Sequence, residues 1–261
     1  MPVVNLNGTS IYYDVKGEGT PILFVHPPTL SSPMFSHQMD QLSTIFQTIT
    51  FDIPGHGNSS PSKNALTYST IANNMKQLLD RLELEKVFLC GYSTGGSVIL
   101  EFLLRYPQRA HGAILIGAMS EVHDLRLKFR ILLGITLAKL NAIKPLALSI
   151  SWSNSDNLRL FWISYREAKK GNARNIKEYY QSSLTYKCTG HLPRIHQPVL
   201  LVYGEKDKGF HSYARLLHAR LPNSTLVYIR QAKHQIPTRA FRELHRLIVN
   251  FVEEHKLTGN T

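Results

Sequence analysis

Short apolar runs alternate with helix-period segments along most of this sequence, and that alternation restricts its fold more than any other feature. The runs over 22–26, 47–53, 86–91, 110–118 and 199–203 read as strands, and that over 22–26 is continuous in apolar character, as in a strand covered on both faces. Segments 3–7 and 10–15, separated at Gly8, read as a strand pair, and 225–230 as one more strand. Between these lie helical periods over 34–44, 67–82, 94–106, 212–221 and 238–255. Strands separated by helices predict a mostly parallel, eight-stranded α/β sheet with helices on both faces. From 119 to 190 the rhythm breaks, and helical periods run on without a convincing strand. The expected organisation is therefore an α/β core from 1–118 and 191–261, with 119–190 as a helical insertion.

Composition narrows the class further. With 261 residues, 43% of them apolar, the chain can bury a large core and does not read as disordered. Two cysteines, Cys90 and Cys188, make no disulfide framework. Residues 1–8 lack a basic stretch followed by an apolar one, so no signal peptide is expected. The most lipophilic window, 129–152, is broken by Arg130, Lys139, Lys144 and Pro145, well short of the ~18 uncharged residues a spanning helix needs. These features predict a soluble, cytoplasmic protein with no stable membrane insertion, and leave its oligomeric state open.

The formal net charge is +12. Residues 1–118 hold 7 basic and 8 acidic side chains, 119–190 hold 12 and 5, and 191–261 hold 11 and 5. The excess thus lies in the insertion and the C-terminal part. No Lys/Arg run, zinc-ligand spacing or nucleic-acid motif accompanies it, so nucleic acid is not an expected partner.

The most specific local pattern is Gly91-Tyr92-Ser93-Thr94-Gly95-Gly96, where a strand run ends and a helical period begins. A serine on such a turn takes strained backbone angles and lifts its hydroxyl clear of the sheet. The flanking glycines leave room for backbone that passes too near for a Cβ. The same turn aims the Thr94 N–H, at a helix N-terminus, toward an oxyanion forming beside Ser93.

In these residues the sequence resembles the α/β-hydrolase fold superfamily, in its serine-nucleophile branch with a helical cap. The similarity extends over nearly the whole length, with 119–190 at the place of the cap. Asp52-Ile53-Pro54-Gly55-His56-Gly57-Asn58-Ser59 is similar to a D-x-x-G-x-G-x-S turn of that family, where it braces the active-site loops. The resemblance therefore gives His56 a structural role.

It also implies a Ser–acid–His order along the chain. Asp207, in Gly204-Glu205-Lys206-Asp207, matches the family's acid, and Glu205 is the second candidate. His234 is the only one of 12 histidines between the strand over 225–230 and the last helix, and it matches the family's base. Lys233 stands where the family usually has glycine. The second oxyanion donor should follow the strand over 22–26, but here the sequence is His26-Pro27-Pro28-Thr29. Neither proline has an N–H, so Thr29 is left as the candidate, through its N–H or its hydroxyl.

The insertion should set substrate choice. Leu125, Phe129, Leu132, Leu133, Leu137 and Leu140, with Trp152, Phe161, Trp162 and Tyr165, read mostly as its packing core. Arg126, Lys128 and Arg130 read as a solvated face, the sharper alternative being a surface that meets anionic lipid.

The expected activity is that of a serine hydrolase, carboxylesterase-type, acting on a small, mostly apolar ester-like substrate. Its parts are Ser93 as nucleophile, His234 as base, Asp207 as orienting acid, and Thr94 with Thr29 as oxyanion donors. No metal or cofactor is required. A lactonase, a C–C bond hydrolase and a cofactor-free peroxidase fit the same three residues. Dehalogenases and epoxide hydrolases of this fold carry aspartate where Ser93 stands. The alternative is a ligand-binding or regulatory protein with little turnover, motivated by Pro27-Pro28.

Overall fold

The structure is a computed structural model and describes residues 2–256. Met1 and 257–261, at the ends of the expected core segments 1–118 and 191–261, lie outside the described residues.

Eight strands form one sheet: β1 (Val3–Leu6), β2 (Thr9–Lys16), β3 (Pro21–Val25), β4 (Gln47–Phe51), β5 (Val87–Tyr92), β6 (Ala110–Ile116), β7 (Val199–Gly204) and β8 (Ser224–Ile229). Their order is β1-β2-β4-β3-β5-β6-β7-β8. The pairs β1/β2 and β2/β4 are antiparallel and all others parallel. The helices are α1 (Ser36–Gln41), α2 (Tyr68–Arg81), α3 (Thr94–Arg105), α4 (Leu125–Lys139), α5 (Ile143–Ser153), α6 (Leu158–Ala168), α7 (Ala173–Thr185), α8 (His211–Arg220), α9 (Ile236–Arg239) and α10 (Phe241–His255).

The apolar runs are explained by two cores. Successive side chains of a strand point to opposite faces, so Leu23, Val25, Val87, Leu89, Val199 and Leu201 enter one core with α2, α3 and α8. Ile22, Phe24, Phe88, Cys90, Leu200 and Val202 enter the other, with Phe35, Leu244, Ile248 and Phe251. Each such side chain contributes about 1.5–3 kcal/mol relative to exposure.

Local signals fix the helix starts. Thr67 and Thr70 form a reciprocal cap on α2, with Thr70 N–H to Thr67 Oγ1 at 3.1 Å and Thr67 N–H to Thr70 Oγ1 at 2.8 Å. Asp124, Asn157 and Asn172 cap α4, α6 and α7 through their side-chain oxygens. Two expected helices are shorter than their periods. The 34–44 segment is α only over Ser36–Gln41 between 3-10 turns, and the last period is divided at Ala240.

Residues 119–190 leave and rejoin the sheet at one neck, where Glu121 bridges Lys187 and the Cys188 N–H donates to Ser120 O at 3.0 Å. They carry α4–α7. The inner faces of α4, α5 and α7 close a small core of Ala138, Ile143, Leu146 and Ile176. Here one expectation fails. Leu125, Phe129, Leu132, Leu133, Leu140, Trp152 and Trp162 are exposed rather than packed, and only Phe161 of that set is buried. The physical reason is that α4 carries a second buried stripe, Ile131, Gly134 and Ala138, on its other side. Among the described residues no helix is long and apolar enough to cross a membrane.

Candidate active site

β5 ends at Tyr92 and α3 begins at Thr94, which leaves Ser93 alone on the corner. Its backbone lies at φ 54°, ψ −123°, a region that costs about 1–3 kcal/mol for a residue with a Cβ. The corner is held by Ser93 N–H to Ile116 O at 2.7 Å and by Gly96 N–H to Ser93 O at 2.9 Å. A Cβ on Gly91 would stand 2.6 Å from Ile99 Cδ1 and 2.7 Å from the Gly95 carbonyl oxygen. A Cβ on Gly95 would overlap the Val25 carbonyl oxygen. Gly95 thus does more than permit the turn: it lets the end of β3 lie against the first turn of α3.

His234 reaches Ser93 from the loop after β8. Its Nε2 lies 3.2 Å from Ser93 Oγ, and its Nδ1 lies 2.7 Å from Asp207 Oδ2. A carboxylate only accepts, so Nδ1 carries the proton and Nε2 is left to accept from the Ser93 hydroxyl. Asp207 follows β7, its own N–H donating to Gly204 O at 3.0 Å. Glu205, the second candidate acid, is turned elsewhere and accepts from the Gln231 N–H at 2.9 Å. The imidazole is bracketed by the Phe210 ring at 4.1 Å and the Tyr92 ring at 5.2 Å between centroids.

The two expected oxyanion donors are Thr94, the first residue of α3, and Thr29. Neither N–H donates to an acceptor among the described residues. Thr29 is buried in the left-handed region at φ 71°, unusual for a β-branched residue. Its hydroxyl is engaged by Tyr180 Oη at 3.1 Å. Its N–H has no acceptor among the described residues, whereas its hydroxyl is shared with Tyr180.

The loop that carries Thr29 is fixed from below. His26 Nδ1–H donates to Pro27 O at 2.9 Å, its Nε2 accepts from Ile53 N–H at 3.0 Å, and Tyr179 Oη–H donates to His26 O at 2.9 Å. Burial pushes the His26 pKa down to about 4, which keeps the ring neutral and able to accept. Asp52 does the bracing expected of its motif. Its carboxylate accepts from Ser32 N–H at 2.8 Å and Asn58 N–H at 2.9 Å, and a Cβ on Gly57 would overlap it. His56 is buried behind the same loop, with Nδ1–H donating to Pro54 O at 3.1 Å.

Sequence reasoning missed Gly117, Phe210, Tyr179 and Tyr180. Phe210 and Gly117 shape the space for the imidazole, while α7 supplies both tyrosines to the Thr29 loop. Only a small residue just past a strand end hinted at Gly117. The other contacts span long sequence distances and left no local signal. Among the described residues no group of three or more His, Cys, Asp or Glu side chains comes together to hold a metal.

A sequence model of the family described as "alpha/beta hydrolase fold" matches residues 20–144. The chain is 27% identical to a putative 2-succinyl-6-hydroxy-2,4-cyclohexadiene-1-carboxylate synthase of Bacillus subtilis, over 97% of this chain and 99% of that protein. It is 26% identical to the human serine hydrolase BPHL, over 96% of this chain and 85% of that one. The enol-lactonase of Burkholderia xenovorans LB400 superposes with a TM-score of 0.85 at 18% identity, covering 97% of this chain and 100% of the other. The sheet order, the Ser93 corner and these likenesses agree on one architecture: the chain has the α/β-hydrolase fold.

Proposed function

We propose that this protein is a serine hydrolase that cleaves a small, mostly apolar ester through an acyl-enzyme. The observation that carries the reading is the relay from Ser93 through His234 to Asp207, with Ser93 held on a strained corner at the start of α3. A relative named as a serine hydrolase and a structural neighbour named as an enol-lactonase support the same class.

In the reaction, Ser93 Oγ attacks the ester carbonyl carbon as His234 Nε2 takes the hydroxyl proton. Asp207 keeps Nδ1 protonated and offsets the imidazolium charge. The carbonyl oxygen becomes an oxyanion between the N–H groups of Thr94 and Thr29, each worth ~10²–10³ in rate. Collapse expels the alcohol with the proton from His234. Water, deprotonated by His234, then attacks the acyl group, and Ser93 leaves carrying that proton. Residues 119–190 act as the cap. Through Asn154, which accepts from Tyr92 Oη–H at 3.0 Å, and through Tyr180 on Thr29, they roof the site and set which acyl groups enter.

Pro27-Pro28 favours a second reading, a binding protein with little turnover, because the usual donor at the start of that loop is lost. A fluorophosphonate probe separates the two. Labelling of Ser93, lost in Ser93→Ala, together with hydrolysis of short p-nitrophenyl esters is expected. No adduct and no hydrolysis across the ester series would leave only the binding reading.

A further inference from the structure

We propose that the outer surface of α4–α6 is a docking face for an anionic lipid bilayer. Of twelve large apolar side chains exposed among the described residues, nine fall between 125 and 162. On α4 and at the residue that ends it, Leu125, Phe129, Leu133 and Leu140 are 69, 67, 59 and 71% exposed, with Leu132 beside them. At ~100° per residue these five occupy a sector of roughly a third of the helix circumference. Helix α4 therefore has two apolar stripes: one packs inward through Ile131, Gly134 and Ala138, and the other faces out.

Helices α5 and α6 extend the pattern. Leu148 and Trp152 lie on the side of α5 opposite Ile143, Leu146 and Ala147, so they point away from the inner core that α4 also closes. Trp152 and Trp162 flank Phe161, with ring centroids 5.3 and 4.9 Å from it, and are 62 and 59% exposed. They are the two tryptophans of the whole chain.

Charge decides the occupant. Residues 125–162 hold six basic side chains and one acidic one, Asp156, which is taken up by His37. Arg126, Lys128, Arg130, Lys139, Lys144 and Arg159 have no ion-pair partner among the described residues. On α4, Arg126 and Arg130 border the outer stripe on one side, and Lys128 and Lys139 border it on the other. A second copy of this face would bring those cations against their own kind. Anionic headgroups would neutralise them while the apolar stripe enters the acyl boundary and the aliphatic stems snorkel outward. Exposed tryptophans beside Lys and Arg fit the same interfacial layer.

The proposal is independent of the chemistry at Ser93 and is tested without it. Full-length protein is mixed with vesicles of phosphatidylcholine alone or with phosphatidylglycerol, and followed by co-sedimentation and by intrinsic fluorescence. Because both tryptophans lie on the proposed face, binding to phosphatidylglycerol vesicles should shift the emission to the blue and weaken with salt. Each charge removed in Arg126→Gln/Arg130→Gln should lower partitioning about fivefold. Phe129→Ser/Leu133→Ser should lower it about tenfold or more. Both variants alter exposed side chains and should keep the wild-type melting temperature. The idea is overturned if wild-type protein stays in the supernatant with unchanged emission, or if both variants bind as tightly as wild type. It is overturned equally if sedimentation velocity finds a dimer that Phe129→Ser dissolves, since a second copy would then cover the face.

Discussion

Gly117 stands directly against the imidazole of His234: a Cβ at position 117 would lie 2.7 Å from His234 Cε1 and 3.0 Å from Nδ1. Gly117 also sits at φ 56°, at the end of β6. The absence of a side chain on one strand end therefore fixes where the ring of a distant loop rests. In Gly117→Ala the ring must move, and a displacement of even 1 Å costs about 10²-fold in rate. We expect kcat on p-nitrophenyl acetate to fall by about that factor, with a stability loss of about 1–2 kcal/mol from the left-handed backbone. A kcat within about twofold of wild type would contradict this role.

Asp207 and Glu205 are two residues apart and face different partners, which separates their substitutions. Asp207→Asn removes the acceptor that fixes the His234 tautomer, and should lower kcat by ~10⁴. Glu205→Gln alters only an exposed bond to the Gln231 N–H and should leave kcat within about threefold. Equal losses in the two variants would mean that the acid has been assigned wrongly.

Thr29 should act through its backbone. Thr29→Gly keeps the N–H and relieves the strain at φ 71°, so activity should stay within about threefold. Thr29→Pro removes the N–H and cannot take that φ, so activity should fall by at least ~10². If glycine is as damaging as proline, the hydroxyl bonded to Tyr180 is the part that matters.

Acid should destabilise the fold before any carboxylate titrates normally. His26 is held near pKa 4 by burial, and His56 near 3 by burial and then by its neighbour His26. Both lie below the unfolded value of about 6.5. Above that pH neither state binds the proton, and the contribution is constant. Below it only the unfolded chain is protonated, so stability falls by up to ~1.4 kcal/mol per pH unit for each ring until the folded pKa is reached. Urea unfolding at about pH 7, 6 and 5 should show this slope. His56→Gln should lessen it by about half, leaving the part due to His26, and a flat profile in wild type would remove these histidines from the account.

The sequence by itself determined a great deal here. The apolar runs required a sheet covered on both faces, and their spacing required parallel crossovers, so the α/β architecture was legible before any coordinate. Ser93 was legible because its corner is local: the strand end, the glycines and the helix start lie within six residues. His234 and Asp207 were legible as positions in a resembled order, and their convergence on Ser93 could be expected from it. Tertiary structure alone decided the rest. The choice between Asp207 and Glu205 depends on which carboxylate turns toward the β8 loop, and the reservation of Gly117 for an imidazole depends on a contact 117 residues away in sequence. Helix α4 shows the limit most clearly. Its helical period identified the helix and its apolar residues, but two apolar stripes share one helix. Periodicity reports which residues share a face, whereas only packing decides which face is covered.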